Sequence, residues 1–86
     1  MGVLRVLSWR GDDHVTWDVQ LLEAGDLEAA AAVREAEHIF TIQRAKGAAA
    51  FKVETGQAPV RIEQFDQTAK QIIMVPRVVG GQQVSG

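Results

Sequence analysis

Few side chains in this chain of 86 residues could do chemistry, and their spacing narrows the choice further. There is no cysteine, which removes disulfides, thiolate metal sites and a thiolate nucleophile together. His14 and His38 have neither an HxxxH spacing nor a carboxylate partner at ligand spacing, so solvated or capping roles are expected rather than a metal. Asp12-Asp13 puts two carboxylates in one turn, short of the roughly six to eight oxygens that calcium takes. Ser8 and Ser85 have no base in a defensible pattern, and no glycine-rich phosphate loop follows a strand. No enzyme, no cofactor and no metal is therefore expected. What remains is Gly80-Gly81, with Arg77 four residues before the second glycine. Two residues without Cβ let another protein approach the backbone closely or thread it through a narrow channel. The plain alternative is a loose end or a linker.

The composition limits what must hold such a tail. One small domain is expected, and at this length a chain buries only about 60% of its unfolded surface. Apolar residues make up 47%, too many for a disordered chain. The net charge is −2 and no two basic residues are adjacent, so nucleic acid is not an expected partner. The cytoplasm is the default location, with no membrane partner, because no apolar run nears the roughly 20 residues of a span. Gly2 invites a lipidation reading, but Val6 stands where that motif wants Ser or Thr.

The elements follow from period. Residues 3–9 are apolar and β-branched. Residues 14–22 alternate, with Val15, Trp17, Val19 and Leu21 on one side. Arg10-Gly11-Asp12-Asp13 between them predicts the turn of a β-hairpin. Asp26 predicts an N-cap and Gly47 a C-terminal stop for a helix over residues 27–46. Its expected face is Ala29, Val33, Ala36, Phe40 and Gln43, with Ala32 and Ile39 beside it. The run His38–Ile42 also alternates like a strand, so the last helical turns are the ambiguous ones. Strands are predicted over 48–54, 60–65 and 72–75, with a helical turn capped by Asp66 before the last. Pro76 ends that strand, because it cannot donate to a ladder. The expected organisation is a domain over 1–76 and a flexible tail over 77–86.

This order resembles the ubiquitin-like β-grasp superfamily, of the bacterial modifier and sulfur-carrier type. The local match is Ile72-Ile73-Met74-Val75-Pro76-Arg77-Val78-Val79-Gly80-Gly81, a last strand leading through a basic residue to diglycine. The run is also similar to the C-terminal portion of phage tail assembly proteins. The resemblance implies an α+β fold, ββαββ, with a mixed four- or five-stranded sheet packed on one long helix. It also implies a protein modifier or sulfur carrier that reacts through the carboxylate of Gly81. Its partners would be an E1-like adenylating enzyme, which Arg77 would help select, and a processing protease, JAMM-type or other. Residues 82–86 follow Gly81, so they would first have to be removed.

The alternative is a monomeric, non-conjugated protein-binding or assembly module. If Leu4 and Val6 face the core, Leu7 and Trp9 lie outside beside Arg5. Ile73 and Val75 of the last strand share that outer face, and together they make an apolar partner-binding patch.

Overall fold

The computed structural model describes residues 1–8 and 11–76. Among the described residues two strands, two helices and three strands follow one another: β1 (Gly2–Ser8), β2 (Gly11–Trp17), α1 (Val19–Glu23), α2 (Leu27–Ala45), β3 (Ala49–Val53), β4 (Val60–Ile62) and β5 (Gln71–Val75). The fold is α+β. The strands form one mixed sheet in the order β2-β1-β5-β3-β4, in which β1 and β5 are parallel and the other pairs antiparallel.

The hairpin is tighter than predicted. The β1–β2 ladder runs from Gly2↔Trp17 to Ser8↔Gly11, so Asp12 and Asp13 are strand residues opposite Leu7 and Val6, not turn residues. The predicted second strand also stops early. β1 begins at Gly2, and Gly2↔Trp17 is the last pair of the ladder at that end. Asp18 then ends the alternation by capping a helix: its Oδ1 accepts from the N–H groups of Gln20 at 2.9 Å and Leu21 at 3.1 Å. Val19 and Leu22 of α1 pack on the core, whereas Leu21, predicted to face inward, is exposed.

The long helix keeps its predicted face. Ala29, Val33, Ala36 and Phe40 are buried at helical spacing, with Ala32 and Ile39 half-buried beside them. Asp26 caps its start, accepting from the N–H of Ala29 at 2.9 Å. At the other end Gly47, at φ +96°, donates to the carbonyl of Arg44, and Ala48 donates to that of Gln43. This paired closure needs a left-handed residue, which glycine adopts without penalty. The strand-like run His38–Ile42 is helical because Phe40 lies on the buried stripe and the cap at Gly47 holds the turns beyond it.

β3 follows, and Ala50, with Ala48 just before the strand, is buried in the core. The predicted strand over 60–65 shrinks to Val60–Ile62, the residues that pair with β3. Phe65 instead turns into the core. Its ring sits 5.7 Å from Trp17 and 5.8 Å, edge-on, from Phe40. Asp66 then shapes a turn: its Oδ1 accepts from the N–H and hydroxyl of Thr68, and its Oδ2 accepts from Lys52 at 3.2 Å. Leu4, Trp17, Ile72 and Met74 are the largest fully buried side chains. Each contributes about 1.5–3 kcal/mol relative to exposure.

Candidate partner-binding face

Both helices pack on one face of the sheet, since Val19 and Leu22 of α1 and the buried stripe of α2 join the same core. The opposite face can be built row by row, because residues directly opposite in a ladder share a face. The pairs His14↔Arg5, Arg5↔Ile73, Ile73↔Phe51 and Phe51↔Arg61 make one row across all five strands. On one side of it lie Val3, Gln71 and Val53, paired in the same way. On the other side lie Leu7 and Val75, one step beyond the Val6↔Met74 pair.

The centre of this outer face is apolar. Phe51, Val53, Pro59, Ile73 and Val75 line a shallow depression of about 300 Å3. Leu7 and Val75 are each 38% exposed, high for apolar side chains in strands. The flanks are basic. Arg5 and Arg61 stand three strand spacings apart in one row, roughly 14 Å at the backbone. Arg61 holds only a loose contact, Nε to Glu63 Oε2 at 3.8 Å. At that exposure such a pair adds little stability.

Of the residues expected to act, Leu7, Ile73 and Val75 come together on this face, with Arg5 beside them. Trp9, Arg77, Gly80 and Gly81 lie outside the described residues. Ile72 and Met74 point inward and Ile73 and Val75 outward, as the alternation of the last strand requires. Phe51, Val53, Pro59 and Arg61 complete the patch and are not in the predicted set. A signal for Phe51 and Val53 is present: their alternation with Ala48 and Ala50 leaves the small residues for the helix side. His14 belongs to the outer face of β2 and not to a turn, and His38 is exposed on α2. Arg44 bridges the end of α2 to the loop after β4, bonding the carbonyl of Ala48 at 2.8 Å and the carboxylate of Glu63.

Asp66 has its pKa lowered by the Thr68 hydroxyl first, then by the Thr68 N–H and Lys52, against partial desolvation. It lies on the helix side of the sheet and serves the fold. Among the described residues no helix is long and apolar enough to cross a membrane, and no group of three or more His, Asp or Glu side chains converges on a point. No family model, curated protein or solved structure matches this chain.

Proposed function

We propose that this chain is a ubiquitin-like β-grasp domain acting as a non-catalytic protein-binding or assembly module through its outer sheet face. The sheet order, the parallel β1–β5 pair and the single long helix between β2 and β3 are compatible with that fold. The observation that carries the function is the apolar depression of Phe51, Val53, Pro59, Ile73 and Val75, flanked by Arg5 and Arg61 on a face that neither helix covers. A partner with an apolar centre would bury it, and carboxylates at its margins would suit the arginines. Ile73→Asp or Phe51→Asp should abolish complex formation with the native partner, while removal of residues 80–86 should leave it intact. Unchanged binding in both aspartate variants would refute this reading.

A second reading, modifier or sulfur carrier, draws on the last strand. β5 is parallel to β1, so it ends, with Val75 of the patch and Pro76, on the side of the sheet where Ser8 pairs with Gly11. A protein activated at Gly81 would have a native form whose mass ends there, and an E1-like enzyme would adenylate it. Recovery of only forms extending through Gly86, from cells holding such an enzyme, would exclude it.

A further inference from the structure

Among the described residues β2 closes one side of the sheet and has a single strand partner, β1. Alternate residues of an antiparallel edge strand direct their N–H and C=O groups away from the partner. Such an edge is a template for one more strand. The opposite edge, β4, is three residues long, while β2 has seven. β2 therefore offers the longer ladder.

A groove of about 240 Å3 runs beside this edge, between β2 and α2. Leu4, Val6, Val15 and Ile39 supply an apolar floor continuous with the core. Asp13 and Glu35 stand at its rim, both exposed and neither in an ion pair with any described residue. His14 also lines it, so the groove has an apolar floor with two carboxylates and one imidazole at its margin. Asp13 and Val15 share the inner face of β2 with the floor, since they lie opposite Val6 and Leu4. A second copy of β2 is a poor occupant, because it would bring its own Asp13 to this margin, where like charges across strands repel.

We propose that the free edge of β2 receives an extended segment of a partner protein whose inward face carries an aliphatic side chain flanked by lysine or arginine. The added strand would continue the sheet through main-chain hydrogen bonds. Its aliphatic side chain would enter the groove, and its cations would meet Asp13 and Glu35. This surface is separate from the outer face, so one module could hold two partners.

The probe is a capped peptide of threonines with a central isoleucine and a lysine two residues to either side, compared with the same peptide carrying glutamates. The full chain is followed by amide NMR. The lysine peptide should give saturable shifts along residues 11–17 and around Glu35 and Ile39. Asp13→Lys with Glu35→Lys should weaken it roughly tenfold and reverse the preference towards the glutamate peptide. Both side chains are exposed, so the double variant should keep the wild-type circular dichroism spectrum. Ile73→Asp on the outer face should leave peptide binding unchanged. Equal binding of the two peptides, no saturable shift, or shifts confined to the outer face would each overturn the proposal.

Discussion

Gly2 shows how one residue can owe its identity to a neighbour rather than to chemistry. A Cβ there would sit 2.3–2.6 Å from three atoms of the Trp17 indole, far inside contact distance. The ring is fixed, since its Nε1 donates to the carbonyl of Gln67 at 3.0 Å and it packs on Phe65. Gly2→Ala must therefore displace the indole or the start of β1, at a cost of about 1–3 kcal/mol. Chemical denaturation should show a lower midpoint with an unchanged slope. Asp66 makes the second prediction at this scale. Its folded pKa lies below the ordinary aspartate value, because Thr68 and Lys52 favour the charged form. Its contribution is therefore complete above the unfolded pKa of about 4 and is lost as pH falls through the lower folded value. The stability gap between wild type and Asp66→Asn, measured by urea titration, should be widest at neutral pH and should narrow below about pH 4.

Local caps decide more at the scale of the element than hydrophobic period does. α2 was legible in advance because its buried stripe, Asp26 and Gly47 all agree. Removing the glycine tests that agreement: Gly47→Ala forces a Cβ into a left-handed residue at φ +96° and should cost about 1 kcal/mol, seen as a lower melting temperature. β2 was misread for the opposite reason. Val15, Trp17, Val19 and Leu21 do alternate, but alternation needs a partner strand, and β1 ends opposite Trp17. Asp18 had a local use for its carboxylate and started α1 instead. The residues of the patch divide similarly. Ile73 and Val75 were readable from their own strand, because Ile72 and Met74 take the core. Phe51 and Arg61 become neighbours only once β3 is known to lie between β5 and β4, which is information about strand order that no local pattern carries.

Sidedness is the property that matters for the whole molecule. One face of the sheet is closed by α1, α2 and the Phe65–Ala69 segment, and its side chains form the core. Among the described residues no element covers the apolar centre of the other face, which lies between two arginines in a protein whose net charge is −2. Apolar side chains gathered on an uncovered face are stabilised by a partner that removes them from water. Leu7, Phe51, Ile73 and Val75 are not part of the buried core, and the proposed binding would give them a use. Under that proposal the diglycine would not be needed. A photo-activated crosslinker placed at Phe51 in native cells measures this most directly. The account predicts one discrete protein adduct that persists in a chain ending at Val79, is lost on Ile73→Asp and is not formed from the same crosslinker at His38. An adduct that requires Gly80 and Gly81, or one that forms from His38 and not from Phe51, would contradict it.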